Sequence, residues 1–378
     1  MPKTPRNAEY TKEYNRKTVL KLLRTGAMSR AEIARRMGLT RATLSLIADK
    51  LQKDGIVKEE IISDTHLGRT PVPLRLCPDS YYAIGVSLNR SSYSVALVNI
   101  NEEIILSRKG NILDSSITKI TMITDCIKDI IKVSGVDPEK FVGVGVSSPG
   151  PIDSKIGRIL NPPSFECWHH TDIAPMLSRN LDMPVHLEND ASCLALYHLG
   201  KPEAKGSNNF LLLLEDNGIG SGIILNGKIL KGNGSFSCEL GHTSICHDGK
   251  PCSCGNKGCL ETYASIRSIL SNTAFKSWAE VIDTMDTDAE AMSIVKREAS
   301  YLSTGIINAS NFIGIDTVIL AGTLQYGAER LGPYIEATVN ESTIHRDRIN
   351  IRVLPARNVP DVPVLAAADV AFGMFLSV

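Results

Sequence analysis

One pattern occurs twice in this chain and narrows its fold more than any other feature: three short apolar runs in succession, then helical periodicity, then a further buried run. Residues 81–88, 94–99 and 103–109 have the length and apolar content of three consecutive strands, 117–134 of a helix and 141–147 of a buried strand. The set returns at 210–214, 221–225 and 228–230, followed by helical stretches and a strand at 317–320. Repeated strand triplets joined by crossover helices predict an α/β fold of two related lobes. The cleft between two such lobes is where a small ligand is expected.

At 378 residues the chain is too long for one compact core, so two or three domains are expected. Its longest apolar runs are strand-sized, far short of the roughly 20 residues of a membrane span. The first 17 residues lack the apolar stretch of a signal peptide. Nine cysteines, an odd number spread over a long chain, do not read as a disulfide framework; reduced thiols and a cytoplasmic location away from the membrane are expected. Formal net charge is zero, yet residues 1–76 hold seven Lys and nine Arg against eight acidic side chains, a net of +8 that the remainder balances with −8. A small basic module on a large acidic body points to a polyanion partner for the first segment only.

That segment reads as three short helices followed by two strands. Val19, Leu20, Leu22 and Leu23 supply the apolar face of the first helix. Ser29 stands three residues before Glu32, a capping box opening a second helix with Ile33, Ala34 and Met37; Gly38 suits the left-handed turn that closes it. Thr40 caps the third, with Leu44, Ile47, Ala48 and Leu51 at the spacing of a buried stripe. Two helices joined by a glycine-containing turn make a helix-turn-helix. With the third helix in a major groove, its first turn reaches base edges, so Arg41, Thr43 and Ser45 are contact candidates, with Arg35 and Arg36 near phosphate. Ile56-Val57 and Leu74-Arg75-Leu76 read as two strands, and the loop 66–71 as the tip of a wing whose Arg69 suits a narrow minor groove. A protein-interaction module with a solvated basic face is the plainer alternative. The capped turn, the wing and the basic excess together favour double-stranded DNA. The runs Ser-Arg-Ala-Glu-Ile-Ala (29–34) and Gly-Leu-Thr-Arg-Ala-Thr-Leu-Ser (38–45) resemble the winged helix of bacterial repressors.

A second constellation lies in the acidic body. His242-x9-Cys252-x-Cys254-x4-Cys259 offers one imidazole and three thiolates, the ligand types of a closed tetrahedral zinc site. Gly255 and Gly258 stand where the chain must turn for three sulfurs to face one point. One structural Zn2+ per chain is expected, held by His242, Cys252, Cys254 and Cys259, with Cys246 and His247 as the alternative source of ligands. Most of the other cysteines (Cys77, Cys126, Cys167, Cys193, Cys238 and Cys246) read as core.

Four stretches of the body resemble the ROK family of bacterial sugar kinases and sugar-responsive repressors. They are Gly145-Val-Ser-Ser-Pro-Gly-Pro, Glu188-Asn189-Asp190, Asn217-Gly-Ile-Gly-Ser-Gly, and Glu239-Leu-Gly-His242 leading into residues 252–261. The resemblance implies a two-lobed actin-like (ribonuclease H-like) α/β domain over residues 78–378, with the zinc loop 242–259, after a winged helix-turn-helix domain over residues 1–77. It implies also that Asn189, Asp190, Glu239, His242 and Glu261 line a sugar pocket. Carboxylates and amides suit that task because they meet adjacent hydroxyls in bidentate fashion. Zinc would fix the loop ending in Glu261 and hold His242 in one orientation. Asn189 or Asp190 also reads simply as a helix cap before 191–199.

In the family's kinases Asp190 would be the base that takes the proton from the sugar hydroxyl attacking ATP. The nucleotide side departs from the kinase pattern. Where those kinases have Asp-x-Gly-Gly-Thr, this chain has Ser87-Leu88-Asn89-Arg90-Ser91. The loop Gly-Thr-Gly-Ile-Gly becomes Asp216-Asn217-Gly218-Ile219-Gly220, and a late Gly-Gly-Gly becomes Ala321-Gly322-Thr323. Glycines that let backbone approach phosphate are replaced by side chains in the first, and a carboxylate enters the second. The resemblance therefore implies a sugar-responsive transcriptional regulator, a repressor rather than an enzyme. Its partners would be operator DNA, a small-molecule sugar effector and a second copy, as a homodimer or dimer of dimers. The alternative is an ATP-dependent sugar kinase that also regulates.

Overall fold

The computed structural model describes residues 7–60, 72–112, 116–232 and 238–377. The chain divides into two compact units, one of Met1–Val146, Ala174–His186 and Ala367–Val378, the other of Ser147–Ile173 and Leu187–Ala366.

The first unit opens with α1 (Ala8–Arg24), β1 (Met28–Ser29), α2 (Arg30–Met37) and α3 (Arg41–Lys53). The caps read from the sequence form as expected. Ser29 Oγ accepts the Glu32 N–H at 3.2 Å, Gly38 takes φ +64°, and Thr40 Oγ1 accepts the Thr43 N–H at 3.1 Å. Val19, Leu20 and Leu23 of α1 are buried, as are Ile33 and Ala34 of α2 and Leu44, Ala48 and Leu51 of α3, while Leu22, Met37 and Ile47 are half-buried. β2 (Val57–Glu59) pairs antiparallel with β3 (Pro73–Leu76), Val57 opposite Leu76. β1 adds a third strand on the other edge of β3, Met28 opposite Leu74. Two residues carry no readable period, so that strand had no signature in the sequence. The wing tip with Arg69 lies outside the described residues.

The body follows with the antiparallel strands β4 (Tyr82–Leu88), β5 (Ser92–Asn99) and β6 (Ile104–Asn111), then α4 (Ser116–Ser134) and β7 (Phe141–Ser148). A small hairpin of β8 (Ile152–Asp153) and β9 (Arg158–Ile159) precedes α5 (Ile173–Leu181) and β10 (Val185–Asn189). The sheet order is β10-β7-β4-β5-β6. β4 and β5 are buried almost throughout, which is why they read as apolar runs rather than as alternation.

The second unit repeats the plan. After α6 (Asp190–His198) come β11 (Phe210–Glu215), β12 (Ile219–Leu225) and β13 (Lys228–Ile229). Four helices follow: α7 (Glu261–Ala264), α8 (Ile266–Leu270), α9 (Trp278–Thr284) and α10 (Ala289–Ile313). The chain ends with β14 (Thr317–Gly322), α11 (Ala328–Ser342), β15 (Arg352–Pro355) and α12 (Val362–Phe375), the last belonging to the first unit from Ala367 on. β11 runs antiparallel to β12 and parallel to β14, giving the order β13-β12-β11-β14-β15. Leu211, Leu213, Val318 and Leu320 of this sheet share one core with Leu302 and Ile306 of α10 and Leu331 and Ile335 of α11. Among the described residues no helix is long and apolar enough to cross a membrane.

One acidic residue of α10 lies in its buried stripe, which also holds Ser303 and Ser310. Glu298 is fully buried, and among the described residues neither of its carboxyl oxygens has a hydrogen-bond partner. Burial lifts its pKa well above the carboxylate range; Glu215 adds to this and Arg297 opposes it. The folded protein therefore keeps a proton that the unfolded chain releases above about pH 4.3. Stability from this group is lost as pH rises through the range between the two pKa values. Glu298→Gln is expected to raise the Tm at pH 8 by a few degrees, with little gain at pH 4. Equal shifts at both pH values in thermal unfolding would show that ionisation at Glu298 is not the cause.

Candidate functional site

Glu239 precedes a single helical turn ending at His242, and the chain then folds back on itself as a compact loop. Isolated bridges join Ser244 to Cys259 and Pro251 to Lys257, and the Lys250 carbonyl accepts the Gly258 N–H at 2.8 Å. Gly258 has φ +70°, and a Cβ there would stand 1.7 Å from the Cys246 carbonyl oxygen, so only glycine fits. This folding brings one donor atom each from His242, Cys252, Cys254 and Cys259 within 4.8 Å of one another. His242 Nδ1 lies 3.6 Å from Cys252 Sγ, and Cys254 Sγ 3.7 Å from Cys259 Sγ. Zinc bonds of about 2.3 Å to sulfur and 2.0 Å to nitrogen put tetrahedral ligands roughly 3.5–3.8 Å apart. The four residues can hold a metal ion as they stand, and the sulfurs are too far apart for a disulfide of about 2.05 Å. Cys246 is exposed and stands outside the cluster, while His247 pairs with Asp248 at 3.2 Å. The core reading of the other cysteines is corrected: Cys193 is buried, whereas Cys77, Cys126, Cys167 and Cys238 are only half-buried.

Beside this loop the predicted carboxylates gather. Asn189 is the N-cap of α6, its Oδ1 accepting the Ser192 N–H at 3.1 Å, so the capping role is real. Asp190 opens the helix and accepts the Ala191 N–H at 2.7 Å. Burial nonetheless pushes its carboxyl up to about 7, with the charges of Asp216 and Glu239 adding. Burial also raises Glu239, which His242 opposes and Glu261 reinforces. Glu261 opens α7, and its Oε2 accepts the Ile219 N–H at 2.9 Å, pinning the loop between β11 and β12.

Of the five predicted ligand residues, Asn189 and Glu239 line one crevice with Gly150 and Ser221, about 20 Å³ in volume, room for a water molecule. Glu261 faces a separate open recess of about 490 Å³ with Asn217, Lys250 and Arg267. Sequence reasoning passed over Glu215, raised to about 7 by burial, and Lys231, which is ion-paired with Glu188. The first of two acids, Glu215-Asp216, closing the apolar run 210–214 was the available signal for Glu215. Two of the three segments that depart from the kinase pattern form ordinary turns. Asn89 donates its N–H to Ser92 O at 2.8 Å while its Oδ1 accepts the Arg90 N–H, and Asp216 N–H reaches Gly218 O at 3.2 Å.

On the basic module, Arg41 at the start of α3 and Arg35 on α2 are exposed. Arg36 is engaged by Glu32 at 2.6 Å, one turn back. The Thr43 hydroxyl meets that of Thr40 at 2.9 Å and so serves the cap, and Ser45 is half-buried. Arg41 and Arg35 are therefore the readiest of the predicted DNA contacts.

A family model described as the ROK family matches residues 83–372. The chain belongs to the ROK family. It is 28% identical over 377 residues to the xylose repressor of Bacillus spizizenii, which covers 98% of this chain and 97% of that protein. A crystal structure of a ROK family transcriptional regulator, a homolog of the E. coli MLC protein, matches with a TM-score of 0.81 at 22% identity, covering 97% of each chain. That likeness is one of fold. A glucokinase of Thermotoga maritima is 32% identical over 192 residues, 49% of this chain and 58% of that enzyme. ROK proteins that act as repressors and ROK proteins that act as kinases are thus both among the relatives, and the repressor matches along the length that includes the basic module.

Proposed function

We propose that this ROK protein is a sugar-responsive transcriptional repressor. The observation that carries the reading is the union, in one chain, of a capped helix-turn-helix presenting Arg35 and Arg41 with a carboxylate cluster beside a four-ligand loop. Residues 1–77 read operator DNA, α3 entering the major groove and Arg69 the minor groove, with Thr43, Ser45 and Arg36 in support. Residues 78–378 bind the sugar through Asn189, Asp190, Glu239, His242 and Glu261. One structural zinc ion held by His242, Cys252, Cys254 and Cys259 would fix the loop. His242 turns Nδ1 toward Cys252, which leaves Nε2 for a sugar hydroxyl. The working form is a cytoplasmic homodimer, one winged helix per half-site. Sugar binding changes operator affinity through unequal affinity for two protein states, typically ~1–3 kcal/mol of coupling.

The test is operator binding by the full chain, measured by fluorescence anisotropy with and without each of a panel of sugars. One sugar is expected to shift the Kd about tenfold. If every sugar leaves both operator affinity and Tm unchanged, the effector reading fails. Arg41→Ala is expected to weaken operator binding by roughly 10- to 100-fold while sugar affinity is kept; unaltered DNA affinity would take α3 out of the interface.

A kinase reading is favoured by one observation. An Asp190 carboxyl with a pKa of about 7 is matched to accepting a proton from a sugar hydroxyl at neutral pH. Against it stands the turn at Asn89 and Arg90, where kinases of the family carry glycines. Sugar-dependent ATP turnover that disappears in Asp190→Asn would restore the enzyme.

A further inference from the structure

A recess of about 230 Å³ opens where the metal-ligand loop, the segment from α7 to residue 273 and the first turns of α10 meet. We propose that this recess is a second small-molecule site, built for the phosphate monoester of a small polyol, with Lys250 and Arg297 taking the phosphate. Its volume is below the roughly 300–1,000 Å³ of sites for drug-sized ligands, so the occupant is small.

Two cations from separate elements face this space, Lys250 of the loop and Arg297 of α10. That pairing stands out in a body whose net charge is −8 beyond residue 76. The Arg297 guanidinium gives one bond, at 3.3 Å, to the Ile269 carbonyl, and the rest of its fork of donors can meet an anion in bidentate fashion. Lys250 Nζ sits 4.9 Å from the centre of the Tyr263 ring and, among the described residues, bonds only at 3.4 Å to the Thr262 carbonyl. An ammonium so placed is steered by the ring face but can still turn to a phosphate oxygen.

The other lining groups fit hydroxyls. Asn272 and Ser293 offer donors and acceptors, and Glu290 offers a carboxylate. Glu290 repels a bare anion but accepts hydrogen bonds from the hydroxyls of a polyol, so the lining selects an ester over free phosphate.

The walls of the recess also reach α7. The Lys250 N–H donates to Tyr263 Oη at 2.9 Å, and Ser268 Oγ donates to the Glu261 carbonyl at 3.4 Å. An occupant drawing Lys250 and Ser268 together shifts the helix that begins with Glu261, and so alters affinity for the ligand Glu261 meets, with the reciprocal effect required by linkage. This regulatory consequence rests on the effector reading above; the site itself does not.

Saturation-transfer NMR and calorimetric titration of the full chain with glycerol 3-phosphate and ribose 5-phosphate test the site, with glycerol, ribose and inorganic phosphate as comparisons. At least one monoester is expected to bind saturably, tenfold or more tighter than inorganic phosphate, with no binding of the free polyols. Arg297→Gln and Lys250→Gln, both at exposed positions, are each expected to weaken the monoester at least tenfold with the circular dichroism spectrum retained. Binding that survives both substitutions puts the ester elsewhere and overturns the proposal. So does inorganic phosphate binding as tightly as the ester, or the absence of saturable binding by either ester. None of these measurements uses DNA, and Arg297 is not among the residues assigned to the sugar effector, so failure here is separable from failure of the repressor reading.

Discussion

Cys254→Ser is expected to reduce the metal content of protein purified without chelator from about one zinc per chain to near none, as read by elemental analysis. Position 254 is the informative choice because Cys254 is exposed, whereas Cys259 is fully buried and its replacement would disturb packing as well. Structural zinc sites in small peptides contribute about 10–16 kcal/mol of binding free energy that is coupled to folding. Here the loop is also held by backbone bonds, so a part of that coupling, ~3 kcal/mol or more, is expected in stability. For a unit of this size that corresponds to a fall in Tm of roughly 10 °C. Because Glu239 and Glu261 flank the loop, sugar affinity is expected to fall with the metal. Unchanged zinc content in the variant would remove Cys254 from the ligand set.

Arg24→Met has the second largest expected effect. At the end of α1 the Arg24 guanidinium reaches Asp369 of α12 at 2.6 Å and Glu102 at 3.5 Å, and lies 4.9 Å from the centre of the Phe372 ring. Its side chain is only 13% exposed and that of Asp369 18%. Removing the cation leaves two carboxylates facing each other with little solvent, a loss of about 3 kcal/mol when one member of a buried pair is deleted. The methionine keeps the contact with Phe372, so the measured loss reports the charge. α1 also donates through Lys17 to the Ser377 carbonyl at 3.0 Å, just beyond α12, and Arg16 bonds the Tyr81 hydroxyl ahead of β4, so α1 is fastened both to the C-terminal segment and to the start of the body. The expected result is a lower midpoint for the first transition in urea, together with weaker operator binding. If Arg24→Met unfolds at the parental urea concentration, the pair contributes nothing.

Much of the site could be read before any fold was known, and the parts that could not be read share one cause. The ligand spacing of residues 242–259 was legible because thiolates separated by one and four residues, with glycine at a φ of +70°, have few ways to face a common point. Asp190 was legible as a helix N-terminal residue, but its pKa of about 7 was not, since that depends first on its burial and then on Asp216 and Glu239 arriving beside it from other elements. The same holds for Glu298, whose burial and nearness to Glu215 follow from packing that no helical period announces.

By itself the sequence determined the caps at Ser29 and Thr40, the doubled strand triplets and the candidate metal ligands His242, Cys252, Cys254 and Cys259. Each depends on bonds or periods spanning a few residues, within reach of local steric rules. Only the tertiary structure decided which charges meet: Arg24 with Asp369 across 345 positions, Lys231 with Glu188, Lys250 with Arg297 around one recess. No local period encodes such pairs, because they follow from how whole elements pack, and burial then sets the strength of every charge brought together.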